Sequence, residues 1–194
     1  MSQLTREDLM SLEEYAAKRA DFRKKIIAHK KNRILLVGPN ASVHFEDRFL
    51  IQYQVQEMLR AERVFEAEGI KEELDAYNPL IPDGSNWKAT FMIEYADEAE
   101  RSERLRELIG IEKTVWVQID GCDKVNPICN EDLDRETAEK TSSVDFLRFE
   151  LTPEMVEKAK AGASISVGID HPKYAYAVEP VIDSMRESLV ADLS

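Results

Sequence analysis

Two stretches of the chain follow one grammar, and that grammar limits the fold more than any other feature. In the first, Trp87, Ala89, Phe91, Ile93 and Tyr95 alternate with polar or smaller residues, the period-two pattern of a strand with one buried face. Asp97 with Glu100 reads as a capping box for a helix through Leu108, Gly110 closes it, and Val115, Val117 and Ile119 alternate as the next strand. In the second stretch Leu147, Phe149 and Leu151 make a strand and Thr152-Pro153 opens a helix that Gly162 ends. Ile165, Val167 and Ile169 then form a further strand. If both units cross over in the usual right-handed way, the two strands inside each run parallel. Tyr174, Tyr176 and Val178 pair back as a hairpin strand after Asp170-His171-Pro172, and Pro180 opens a final helix with Ile182, Met185 and Leu189. The expectation is an α+β fold: a mixed β-sheet with two β-α-β units packed by helices.

The N-terminal part reads differently. Thr5 caps a long amphipathic helix that runs to about Lys30, with Leu12, Tyr15, Ala16, Phe22, Ile26 and Ile27 on one side. Ile34 to Val37 is a short strand stopped by Gly38-Pro39-Asn40, and Ser42 to Phe45 returns as a second. A helix follows from about Asp47 to Ala67, with Gly69 as its stop, and a shorter one covers Lys71 to Tyr77 before Pro79. Gly121 to Ser143, rich in Asp, Glu, Asn and Ser, reads as a surface loop with one short helix beginning after Asn130. No linker or low-complexity tract interrupts the 194 residues, so residues 1–194 are expected to form one globular domain.

With 43% apolar and 33% charged residues and only seven Gly and seven Pro, the chain has the make-up of a folded protein. Met1 to Asp8 is polar and acidic, and no apolar run reaches bilayer length, so neither secretion nor a membrane is expected. Two cysteines, Cys122 and Cys129, with six residues between them, fit neither a disulfide scaffold nor a zinc knuckle, and a reducing cytoplasm suits them. The net charge of −12 is uneven, because Lys18 to Arg33 holds eight basic residues against Asp21 alone. Overall acidity argues against nucleic acid as a partner.

Strand ends supply the first candidate site. Parallel strands would bring Glu94, Asp120, Glu150, Asp170 and His171 to one sheet edge, a set suited to metal ligation or acid–base work. Polar residues where strands meet solvent are the plainer explanation. The helix from Asp47 supplies the second. Ile51, Val55, Met58 and Phe65 mark one apolar stripe, and Phe49, Tyr53 and Val64 another, so the helix is read as buried on two faces. Glu62 falls inside the first stripe, with Gln56, Glu57 and Arg60 beside the second. A buried carboxylate must be paired, metal-bound or protonated. Arg19 and Arg23 on the first helix are the available partners, an arrangement that would make Glu62→Ala destabilising. Lys18, Lys24, Lys25, Lys31 and Arg33 are read as facing outward. No phosphate loop and no nucleophile elbow is present.

Arg33 to Pro39 (RILLVGP), Phe45-Glu46-Asp47-Arg48, Gln56 to Glu62 (QEMLRAE), Tyr77 to Pro82 (YNPLIP), Ala89 to Glu94 (ATFMIE) and Asp170-His171-Pro172 together resemble a bacterial family described as domain of unknown function 3501. The resemblance covers most of the chain and carries no established activity. Genes of that family lie near those for rubrerythrin-like and iron–sulfur oxidoreductase proteins, which implies a role in redox or oxidative-stress metabolism. Joined to the physical reading, the resemblance makes His171, Glu94, Glu57 and Glu62 the catalytic candidates. Arg48, Arg60, Tyr77 and Asn78 are candidates for holding a cofactor of open identity, and Glu46, Asp170 and His171 for ligating a metal.

Two functions follow. One is an accessory protein that docks a redox partner protein through its bipolar surface, by way of Lys24, Lys25 and Lys31. The other is a metal-dependent or acid–base enzyme with a Glu/Asp/His site. Substrate, reaction and self-association stay open at this point.

Overall fold

The structure, a computed structural model, describes residues 2–129, 131 and 140–194. The short helix expected after Asn130 lies outside them.

Thr5 caps only a single 3-10 turn, Arg6–Asp8, because Leu4 and Leu9 are both drawn into the interior. The chain restarts at Ser11, whose hydroxyl accepts from the Glu14 amide and opens α1 (Leu12–Lys30). Tyr15, Arg19 and Phe22, spaced four and three apart, form the seam that α1 turns to α2 (Arg48–Glu62), and Ile26, four further on, is buried. Phe22 meets Phe49 with ring centroids 5.3 Å apart. Asp47 caps α2, and the helix ends where Arg63 takes the left-handed conformation, at φ 57°. The stop therefore comes six residues before Gly69, and α3 (Ala67–Tyr77) starts correspondingly early.

Between α1 and α2 lie β1 (Ile34–Leu36) and β2 (Ala41–Phe45). After α3 come β3 (Asn86–Ile93), α4 (Glu98–Glu107), β4 (Val115–Ile119) and β5 (Ile128–Cys129). The C-terminal part holds β6 (Val144–Glu150), α5 (Pro153–Lys160), β7 (Ile165–His171), β8 (Tyr174–Val178) and α6 (Asp183–Val190).

The α+β class and the long N-terminal helix hold, but the sheet does not have the expected form. Among the described residues there are two sheets, one ordered β1-β2-β3-β6-β5 and the other β4-β7-β8, and every strand pair in both is antiparallel. Each strand–helix–strand stretch sends its two strands to different sheets. The strands then pair with their counterparts from the other stretch, β3 with β6 and β4 with β7. Since α4 and α5 pass from one sheet to the other, the crossover rule for parallel neighbours never applies.

One apolar cluster joins the inward residues of both sheets, among them Val43, Phe45, Trp87, Phe91, Phe149, Val117, Ile119, Val167 and Ile169. A second cluster lies within the helical layer, where Ile51, Val55 and Leu59 of α2 meet Ile70 and Leu74 of α3, with Leu4, Leu9 and Ile81. Arg33, expected to face outward, is buried and holds Asp192 through two hydrogen bonds of 2.5 and 2.9 Å. Trp87 Nε1 also donates to the Leu189 carbonyl, so the C-terminal helix is locked to the sheet. No helix among the described residues is long and apolar enough to cross a membrane.

Candidate functional site

The strand period that buries one face of the five-stranded sheet also populates the other. On β2 the residues between the core positions are Ser42 and His44, with Glu46 just beyond the strand; on β3 they are Lys88, Thr90 and Met92; on β6, Phe146 and Arg148. Register puts His44, Thr90 and Phe146 in one row across three strands, and Lys88 opposite Arg148 in the next. This face is roofed by α2 and by the turn after α3. Between roof and sheet lie two adjoining hollows.

One, of about 260 Å³, is polar: Lys30, Glu46, Tyr53, Gln54 and Thr90 line it. The other, of about 290 Å³, is mostly apolar, with Ala76, Pro79 and Leu147 in its wall and Lys88 and Arg148 at its sides. They share Tyr77, Leu80 and Phe146 and so form one cleft. Its combined size and its mix of apolar wall with a few polar groups are those of a small-molecule site.

Glu46 is the central polar group. Its carboxylate accepts from Thr90 Oγ1 at 2.7 Å. Burial pushes its pKa up, against the smaller opposing pull of the Thr90 hydrogen bond and Lys30. His44, two residues away on the same strand face, is shifted the other way, downward, first by burial and then by Lys30. Its Nε2 lies 2.9 Å from Ser42 Oγ, and Ser42 is buried, which leaves that hydroxyl no access to a substrate. Burial also lowers the Lys88 ammonium, which donates to the Pro79 carbonyl and so ties the roof to the sheet. Arg148 is held bidentately by Glu131 at 2.8 Å and by Glu150. A carboxyl disposed to keep its proton can donate a hydrogen bond. The cleft thus offers an apolar wall and, at its polar end, one carboxyl disposed to keep its proton.

Of the residues singled out from sequence, Glu46 and Tyr77 line this cleft. The others are elsewhere. Asn78 pins the N-terminal segment, its side chain exchanging two hydrogen bonds of 2.8 and 3.0 Å with the Leu4 backbone. Arg48 pairs with Asp8 at 2.7 Å. Glu57 accepts from Tyr15 Oη at 2.5 Å and bidentately from Arg19 at 2.7 Å. The expected Arg–Glu network therefore exists but is built on Glu57. Glu62, in the last turn of α2, is exposed, because the helix ends there and its side chain passes beyond the packed faces. Arg60 is exposed beside α1.

The edge cluster is not assembled. With β3 antiparallel to β6, Glu94 and Glu150 follow opposite ends of the sheet, and Glu150 faces Asn86. Asp120 lies beside Ser164 at one end of β7, whereas Asp170 and His171 close the other. Asp170 pairs with Lys124 at 2.8 Å, and that contact holds its carboxyl below the usual range. His171 is buried, with Nε2 3.3 Å from the Ile109 carbonyl and Nδ1 accepting from the Lys173 amide at 3.2 Å. Both ring nitrogens are therefore engaged. Glu46, Asp170 and His171 do not converge, and among the described residues no group of three or more His, Cys, Asp or Glu side chains is placed to hold a metal. The two cysteines are free thiols, and burial pushes Cys129 up to about 12.

His44, Lys30, Thr90, Lys88 and Phe146 were not marked by sequence reasoning. The signal lay in the off-core positions of the strands, where Met92 and Phe146 put apolar side chains among polar ones on a face that would otherwise be solvated.

A family model described as "Protein of unknown function (DUF3501)" matches residues 3–193. No curated protein matches the chain. Among solved structures, it is similar to a novel protein of unknown function from Burkholderia pseudomallei K96243, with 47% identity, full coverage of both chains and a TM-score of 0.93.

Proposed function

The chain belongs to the DUF3501 family, and from that premise we propose that it binds a small molecule with an apolar or aromatic body and a polar head in the cleft between α2 and the five-stranded sheet. The observation that carries the reading is the continuity of the two hollows through Tyr77, Leu80 and Phe146, with a half-hidden carboxyl at the polar end. The body packs on Tyr77, Leu80 and Phe146, and the head exchanges hydrogen bonds with Glu46, Gln54 and Thr90. The reading treats residues 1–194 as one cytoplasmic unit, since the cleft needs the helical layer and the sheet together. The accessory role in redox metabolism that the family resemblance implies is argued from no described residue of this cleft.

A thermal-shift screen of small aromatic and aliphatic compounds with polar heads tests the proposal. A ligand at a hundred times its dissociation constant stabilises by about 2.7 kcal/mol, several degrees in melting temperature. Ala76→Trp, made from an exposed position, fills the apolar hollow, and Thr90→Val removes the donor to Glu46. Compounds that stabilise the parent should lose their effect in both variants. Equal stabilisation of parent and variants would place binding elsewhere and defeat the proposal.

The raised Glu46 carboxyl at the polar end of the cleft favours a second reading, an acid–base enzyme acting on the same ligand. A ligand recovered chemically changed from the parent but intact from Glu46→Gln would establish it. Intact recovery from both would leave binding alone.

A further inference from the structure

The first helix carries two seams of the same spacing, and among the described residues only one is covered. Tyr15, Arg19 and Phe22 face α2, and Ile26, one turn on, is buried. One residue further round the helix, Ala16, Ala20, Arg23 and Ile27 repeat the four-three-four step by which packed helices meet. Ala16, Ala20 and Arg23 are exposed, and Ile27 is 53% exposed. This second seam lies in a groove of about 440 Å³ between α1 and α2. From Ala16 to Ile27 it runs about 16 Å, three helical turns. Two alanines let a partner backbone approach closely, and Ile27 gives it an apolar contact.

The groove is also strongly cationic. Arg19, Arg23, Lys24 and Arg60 stand along it. Glu57 fixes the Arg19 guanidinium from behind, and Asp21 answers Lys24 at 3.1 Å. Among the described residues, Arg23 and Arg60 have no ion-pair partner. Four cations around a three-turn apolar floor, in a protein of net charge −12, make a local charge opposite to that of the whole.

We propose that this groove docks an acidic amphipathic helix of another protein, as a third helix beside α1 and α2. Its small or apolar seam would lie on Ala16, Ala20 and Ile27, and its carboxylates would reach Arg23, Lys24 and Arg60. A second copy of this chain is a poor occupant. Its acidic helix α3 has already buried its apolar side at Ile70 and Leu74, and its exposed helix α4 carries Arg101, Arg104 and Arg106 among its glutamates.

The probe is a synthetic helix of about 20 residues with Ala and Leu at seam positions and Glu flanking them, against the full chain, by fluorescence anisotropy. The expected result is salt-sensitive binding that falls at least about tenfold in Arg23→Glu/Arg60→Glu. A similar loss is expected in Ala20→Trp, which keeps every charge but blocks close approach. All three positions are exposed, and an unchanged melting temperature confirms that the variants fold. A scrambled peptide of the same composition should bind about tenfold more weakly, since it keeps the charge without the seam. Equal binding by the scrambled peptide, full competition by inorganic polyphosphate with Ala20→Trp unaffected, or no binding at about 1 mM peptide would overturn the proposal.

Discussion

Glu46 and Glu57 are both carboxyls against the helical layer, and their surroundings give them opposite consequences for stability. Burial raises Glu46, so the fold holds its proton more tightly than the unfolded chain does. That contribution is present below the ordinary glutamate pKa and is lost as pH rises through the raised value. Glu46→Gln keeps an acceptor for Thr90 without a charge to bury. It should match the parent at pH 4 and equal or exceed its stability at pH 8, as followed by denaturant unfolding at both pH values. A clear loss at pH 8 would make Glu46 a structural ion instead of a group held for a ligand. Glu57 is lowered, first by the Arg19 hydrogen bond, so its contribution is present above the ordinary pKa and lost as pH falls through the lowered one. Glu57→Gln should cost about 1–3 kcal/mol at pH 7 and flatten the acid side of the stability profile. A partner for Arg19 on the second helix was legible from periodicity. Which glutamate fills the role was not, because Glu57 and Glu62 differ by where the helix stops, and Arg63 in the left-handed conformation sets that stop without a glycine to announce it.

Among the elements, α2 depends most on one residue. Asp47 accepts from the Leu50 amide at 2.8 Å as its cap, and its other oxygen meets His29 Nε2 at 2.5 Å and Arg33 Nη2 at 3.1 Å. Asp47→Ala should cost about 2–4 kcal/mol, the cap plus a weakened hold on Arg33. Asp47→Asn keeps the cap and should fall between, which paired thermal melts would show; equal losses would mean that the charge alone matters. Since α2 roofs the cleft, the same substitutions should weaken ligand binding in proportion to fraying of its first turn. Strands and helices were readable because alternation and capping are local signals: Trp87 to Ile93 and Asp97 to Glu100 lie where the pattern puts them. Partner strands were not. Alternation in β3 and β4 is the same whether they share a sheet or face each other across a core, and only the observed pairing with β6 and β7 decides. The edge cluster around His171 depended on that choice and fell with it. The cleft was hidden for a related reason, since attention to core-facing positions passes over His44, Thr90 and Phe146 in the row between them.

At the scale of the molecule, the link between the first helix and the first strand is joined to the C-terminal segment through charge. Arg33, at the start of β1, holds Asp192 close to the C-terminus, and the Ser188 carbonyl accepts from the same guanidinium at 2.8 Å. Both side chains are buried, within the strip where the C-terminal helix meets the sheet and where Asp47 brings in the cap of α2. The basic run from Lys18 to Arg33 is thus two things: a solvated, cationic helix face that ends in one arginine turned inward. Sequence charge counting treats these alike, because burial is decided by tertiary contacts that come from 159 residues away. A buried pair of this kind need not be net stabilising, since desolvating both ions offsets much of their attraction, but removing one partner strands the other. Asp192→Ala should therefore cost about 3–5 kcal/mol and lower the unfolding midpoint sharply. Arg33→Met/Asp192→Leu, which replaces both ions with apolar side chains of similar volume, should recover most of that loss. Denaturant unfolding of the two variants beside the parent decides between a fold that needs this charge pair and one that only needs it complete. If the double variant is as unstable as Asp192→Ala, the hydrogen bond from Arg33 to Ser188 and the contact with Asp47 are what hold the C-terminal helix down, and the pair itself is incidental.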